Sequence, residues 1–190
     1  MASQAHPSLT PAEYLAYERR AEFKSEYFDG DVVAMVGASR KHNLIGINIG
    51  RELSDQLRTR PCEVYGSDMR VKVPAAQVYT YPDVSVACNG PEFEDEVLDT
   101  LLNPTVIIEI LSQSTESYDR GKKFALYRSI PALAEYLLVA QDEYRVEQYV
   151  KQPDGNWLLL DHDSLDDGVE LRSLGCVLTL AEVYHKVVLE

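Results

Sequence analysis

An α/β fold is what this sequence predicts, and three stretches predict it. "TVIIEIL" (105–111) is apolar and β-branched along almost its whole length, the pattern of a strand buried on both faces. "SRKHNLIGINIGRELSDQLRT" carries Leu44, Ile45, Ile47, Ile49 and Leu53 as an apolar stripe at roughly helical spacing. "PALAEYLLVA", after a second helical pattern, ends in a second apolar strand. With neither a repeat nor a linker-like segment in 190 residues, the chain reads as one domain, 1–190.

The elements follow in order. "TPAEYLAYERR" opens with a capping signature, Thr10 as N-cap, Pro11 at the first helical position and Glu13 two residues on, so a short helix to about Glu22 is expected. "KSEYFDGDVVAMVG" reads as a hairpin turning at Asp29-Gly30. Residues 41–58 form the helix of the apolar stripe, in which Gly46 and Gly50 lower helix propensity and offer close packing. "CEVYGSDMRVKV" alternates like one strand or a bent pair, and "YTYPDVSVA" is a short strand opened by Pro82. The acidic stretch 89–104 reads as an exposed connection. After the 105–111 strand come a helix over 116–129 and the "PALAEYLLVA" strand, then a hairpin turning at Pro153-Asp154-Gly155. "TLAEVYHKVV" closes the chain as a helix capped by Thr179 with Glu182.

Composition narrows the function classes. A formal charge of −13 argues against a generic nucleic-acid coat protein, which needs a positive footprint. It leaves room for an enzyme that meets nucleic acid through bound metal ions, because those reverse the local sign. Charge is also unevenly placed: Val73 to Asp119 contains nine acids and no Lys or Arg, and then Arg120, Lys122, Lys123 and Arg128 arrive together. No apolar run approaches the roughly 20 residues of a membrane span, and the N-terminus lacks a signal-peptide pattern. Cys62, Cys88 and Cys176, odd in number and without CxxC spacing, are expected as buried free thiols in a reducing cytoplasm.

Glu109 is the anomaly. An ionised carboxylate in the middle of a buried strand costs several kcal/mol unless a cation or hydrogen bonds satisfy it. Side chains alternate along a strand, so Glu109 shares a face with Ile107 and Leu111, and Asp83 shares one with Ser85 and Ala87. If the two strands are neighbours, Asp83 and Glu109 make an oxygen site suited to Mg²⁺ or Mn²⁺. A buried Glu109 paired with one Lys or Arg is the competing reading. In the helix after that strand, Asp119 and Lys123 stand four residues apart. They form a surface ion pair, or else Lys123 reaches over the sheet end to Glu109.

The ordered motifs "YPDVSV", "IIEILSQST", "YDRGKKFALYR" and "PALAEYLLV", with "EYFDGDVVAM" and "ASRKHNLIGINI" before them, closely resemble the Uma2 family of the PD-(D/E)XK restriction-endonuclease-like superfamily. The resemblance runs from about Glu13 to Tyr184 and implies a restriction-endonuclease-like mixed central sheet flanked by helices, with added N-terminal and C-terminal hairpins. It implies that Asp83 and Glu109 hold the metal. The superfamily's lysine two residues after the glutamate is Leu111 here, a departure, and the resemblance transfers that role to Lys123 on the next helix. It also singles out two further residues. Glu26 is a further metal-facing carboxylate or a solvated hairpin charge; His42 orients a phosphate or accepts a proton, or is a locally bonded helix-start residue. Arg120 and Lys122 are expected to be solvated or to meet phosphates.

The resulting expectation is a Mg²⁺- or Mn²⁺-dependent endonuclease acting on DNA, cytoplasmic, with no membrane partner. The alternative is a non-catalytic nuclease-like module for binding or assembly, such as a homodimer. A small-molecule hydrolase ranks third, since no separate acid–base pair stands out.

Overall fold

A computed structural model describes residues 9–113 and 115–189. Helix α1 (Pro11–Glu18) is closed by the predicted capping box, with Thr10 and Glu13 each bonding the other's backbone, and it ends four residues short of expectation. The hairpin β1 (Ser25–Phe28) and β2 (Asp31–Ala34) turns through Asp29 and Gly30, both at positive φ, the requirement of a tight two-residue turn. Helix α2 (Arg40–Leu57) starts at the N-cap Ser39. Next come β3 (Cys62–Gly66), β4 (Arg70–Val73), β5 (Val78–Thr80), β6 (Val84–Cys88), the two-residue β7 (Thr100–Leu101) and β8 (Val106–Ile110). Helix α3 occupies residues 116–127 and widens into a π-turn at Asp119–Lys123. The chain finishes with β9 (Glu135–Val139), β10 (Val146–Lys151), β11 (Trp157–His162), β12 (Gly168–Leu171), β13 (Cys176–Thr179) and the one-turn helix α4 (Leu180–Val183).

Two mixed sheets carry the architecture. The larger has the order β11-β10-β9-β8-β6-β3, with β8 and β9 parallel across the α3 crossover and the other pairs antiparallel. The smaller has the order β2-β1-β5-β4-β7, with β12-β13 as a separate hairpin. One face of the larger sheet, presenting Val84, Val86, Ile108 and Ile110, packs on Ile45, Ile49 and Leu53 of α2 and on the C-terminal hairpin. Ile107, Leu111, Tyr136 and Leu138 face the other way, against Phe124 and Tyr127 of α3 and Val71, Val73 and Leu101 of the smaller sheet. Tyr14, Tyr27 and Tyr79 join α1 to the smaller sheet.

Several expectations are corrected. "CEVYGSDMRVKV" and "YTYPDVSVA" each split into two strands belonging to different sheets, so Pro82 marks a passage between sheets rather than a strand opening. The 89–104 stretch is not a plain exposed connection: it contributes the buried β7, Glu94 pairs with Lys72 and Tyr79, and Asp95 and Asp99 both bind Arg19. These acids find cations brought by distant elements, which local charge counting does not reveal. Ile47 is exposed, because the helix buries Asn48 instead, whose amide bonds the Val183 and His185 carbonyls. The closing helix is limited to α4, and the two strands before it, β12 and β13, were not anticipated from the sequence.

Cys62 and Cys88 form a disulfide; they are not free thiols. The β3–β6 register pairs them directly across the strands, with Cα atoms 4.0 Å apart, a proximity that 26 residues of sequence separation conceals. Cys176 is free and buried, as expected.

Candidate active site

The β6–β8 register decides the site. Val84 pairs with Ile108, so continuing the antiparallel ladder by one residue sets Asp83 opposite Glu109 on the face toward α3. Asp83 Oδ2 accepts the backbone N–H of Ile110 (2.7 Å), which fixes the carboxylate at the mouth of β6. Glu109 is 4% exposed, and its Oε1 lies 3.0 Å from Lys123 Nζ. The cation that answers the buried glutamate is therefore Lys123.

Lys123 comes from the π-turn of α3. That wider turn, with Gly121 at its centre, places Asp119 and Lys123 inward together, both buried. Besides Glu109, the ammonium lies 3.2 Å from Glu26 Oε1 and 3.7 Å from Asp119 Oδ1. The Asp119–Lys123 pair is thus an interior contact and not a surface ion pair. Glu26 is buried on β1, where Oε1 also accepts the Tyr81 N–H (3.2 Å), so the solvated-hairpin reading of Glu26 is corrected. His42 is the locally bonded helix-start residue of one reading, its backbone N–H donating to Ser39 Oγ (3.1 Å), and its Nε2 also lies 3.3 Å from Asp83 Oδ2.

Three buried carboxylates around one ammonium leave a surplus of negative charge, and the ionisation equilibria reflect it. Burial pushes Glu109 up to about 8; Lys123 opposes this, and Asp83, Asp119 and Glu26 reinforce it. Burial likewise raises Asp119, against Lys123 and a hydrogen bond from Thr115. Desolvation works against the charge on Lys123, yet the carboxylates of Glu109, Glu26 and Asp119 outweigh it and hold the ammonium protonated. At His42 burial also disfavours the cation, and the Asp83 carboxylate outweighs it, raising the imidazole above its ordinary value.

Glu26, His42, Asp83, Glu109 and Lys123 all line one open cleft of about 1290 Å³. Sequence reasoning passed over Tyr127, whose hydroxyl bridges Glu109 Oε1 and Thr80 Oγ1 at 2.9 Å each. Its position four residues after Lys123 was the available signal, and the apolar stripe of α3 concealed it. Arg120 remains partly exposed but pairs with Glu116 and Glu147, so its charge is already engaged.

A hard divalent cation suits these donors. Among the described residues the hydrogen bonds at Glu109 fall on Oε1 and those at Asp83 on Oδ2, which leaves each carboxylate a second oxygen of the kind a metal would use. Among the described residues there is no cluster of three or more His, Cys, Asp or Glu side chains arranged for a metal, which is not the donor set of a closed zinc site. Mg²⁺ differs: it keeps several waters and is held through one or two carboxylates plus substrate phosphates.

Residues 11–181 match the Uma2 family, described as "Putative restriction endonuclease". Two curated relatives from Synechocystis sp. (strain ATCC 27184 / PCC 6803 / Kazusa) are similar. "Uncharacterized protein slr1290" is 38% identical over 183 residues, covering 96% of this chain and 95% of the relative. "Uncharacterized protein sll1609" is 42% identical over 153 residues, covering 80% and 86%. Among solved structures, the crystal structure of "a putative nuclease belonging to DUF820" from Anabaena variabilis ATCC 29413 superposes with a TM-score of 0.77. It is 20% identical and covers 95% of this chain and 99% of its own, which establishes a shared fold.

Proposed function

The chain belongs to the Uma2 family, and from that premise we propose that it is a metal-dependent phosphodiesterase, most simply an endonuclease of DNA. One observation carries the reading: Asp83 and Glu109 stand opposite each other at a cleft floor, with the Lys123 ammonium 3.0 Å from Glu109. Asp83 and Glu109 would hold Mg²⁺ or Mn²⁺. Bound there, such an ion polarises a phosphoryl oxygen and lowers the pKa of coordinated water.

The chain's own residues supply the rest. Lys123 opposes the burial that favours the protonated form of Glu109 and offers N–H donors to charge that develops on phosphoryl oxygens. Tyr127 fixes the Glu109 carboxylate by a hydrogen bond to Oε1. His42 and the Ile110 N–H hold Asp83 by Oδ2. Glu26 shares Lys123 with Glu109 and limits where the ammonium can swing.

The test is cleavage of plasmid and linear DNA with Mg²⁺ or Mn²⁺ against a chelator control. Wild-type cleavage that Asp83→Asn and Glu109→Gln each reduce by at least about 10²-fold, the scale of a lost electrostatic group, supports the reading. Unchanged cleavage by those variants overturns it. The net charge of −13 and the full engagement of Lys123 by carboxylates favour a second reading, a nuclease-like module that binds without cutting. A wild type inactive with both metals would put that reading ahead.

A further inference from the structure

We propose that Tyr118 and Lys122 form a second anion site in the cleft, one that grips a substrate phosphate other than the one reacting at Glu109. The identity of the ligand rests on the phosphodiesterase reading; the site itself rests on what these two side chains lack. Tyr118 Oη is buried and, among the described residues, has no hydrogen-bond partner. A phenol taken out of water without a partner costs about 1–3 kcal/mol, so a buried hydroxyl left open calls for an explanation. Its surroundings supply one: it lines the cleft beside Glu26, Lys123, Asp119 and Glu109, the charges that act on its ionisation.

Lys122 is the matching cation. It lines the same cleft, and among the described residues it has no ion pair. The other two lysines there are engaged, Lys24 with Asp68 (2.9 Å) and the Ser67 carbonyl (2.8 Å), and Lys123 with its three carboxylates. Tyr118 and Lys122 stand four residues apart on α3 and both lie against Phe28. The Tyr118 ring meets Phe28 edge-on at 5.8 Å, and the Lys122 ammonium lies 5.9 Å from the Phe28 ring centre. Both side chains thus pack on Phe28 and line a cleft whose other charges are mostly carboxylates. The complement of an unpartnered hydroxyl and an unpaired ammonium is an anionic acceptor with several oxygens, which a phosphate group provides.

Tyr118→Phe removes the oxygen and keeps the ring against Phe28, and Lys122→Gln removes the charge. Two binding probes are used: inorganic phosphate, read by thermal shift, and a labelled DNA oligonucleotide with Ca²⁺ in place of Mg²⁺, read by anisotropy. Each variant is expected to weaken binding of both probes about tenfold, the scale of one hydrogen bond to a charged group. Without ligand, Tyr118→Phe should melt at the wild-type temperature or above, because no bond is lost. Variant binding equal to wild type, or a wild type that binds neither probe, overturns the site; so does a fall in melting temperature for ligand-free Tyr118→Phe, which would reveal a structural partner for the hydroxyl. Weakened phosphate binding in the variants alongside a wild type that cuts no DNA supports the site while the nuclease reading falls. Metal-dependent cleavage with undiminished variant binding does the reverse.

Discussion

Lys123 concentrates the residue-scale energetics. The residue is 6% exposed and its ammonium meets Glu109, Glu26 and Asp119, so Lys123→Met strands three carboxylates in the interior. Breaking a buried pair on one side costs about 3–5 kcal/mol, and part of that returns when the stranded charge is also removed. Denaturant titration should therefore show Lys123→Met strongly destabilised and the double variant Lys123→Met/Glu109→Gln less so; additive losses would mean the two groups do not interact. His42 gives a pH test. Its pKa is raised in the fold above the ordinary 6.5 by Asp83, so the folded state binds the proton more tightly than the unfolded chain. The imidazolium's stabilisation is fully present below pH 6.5 and is lost as pH rises through the folded value. The stability gap between wild type and His42→Gln should be larger near about pH 5.5 than near about pH 8.5. A gap that widens with pH would reverse the assignment.

At the scale of elements, α2 and α3 position the site in different ways. Helix α2 must approach β8 closely, and Gly46 permits it: a Cβ there would stand 3.3 Å from Ile110 Cδ1. Ile110 is also the residue whose N–H holds Asp83, so pressure at Gly46 reaches the site. Gly50, one turn on, would meet nothing within 4 Å. Gly50→Ala should therefore stabilise by about 0.4–1 kcal/mol through helix propensity and unfolded-state entropy. Gly46→Leu should destabilise by about 1–3 kcal/mol by overpacking. Thermal melts of the two variants check both signs, and equal shifts would refute the close-packing role. Helix α3 was legible as a helix from Phe124 and Tyr127, but its π-turn was not. A π-turn is chosen when the interior rewards it, here by bringing Asp119 and Lys123 inside together.

For the whole molecule, the Cys62–Cys88 disulfide ties the edge strand β3 to β6, whose N-terminal mouth carries Asp83. Closing a loop with a sequence separation of 26 restricts the unfolded chain by about 3–4 kcal/mol on the loop-entropy account. Reduction, or the double variant Cys62→Ser/Cys88→Ser, should lower the denaturation midpoint; the double variant should then be indifferent to reductant, whereas Cys176→Ser, which keeps the bond, should respond to it as the wild type does. A wild-type midpoint indifferent to reductant would count against the bond.

The strand–helix–strand block and the faces that Asp83 and Glu109 take on their strands were legible in the sequence alone. Both follow from short-range periods, alternation by two along a strand and return after four residues on a helix, that every stretch of chain carries locally. The motif resemblance chose Lys123 as partner for Glu109 over a surface pair with Asp119, and it added Glu26 and His42. Tertiary structure alone decided that Glu26 turns inward onto Lys123, that Tyr127 bridges Glu109 and Thr80, and that the acids of residues 89–104 are partnered. It alone paired Cys62 with Cys88. Those contacts join residues far apart in the chain, and their distances are set by sheet order and register, which minimise the free energy of the whole core and leave no local periodicity to read.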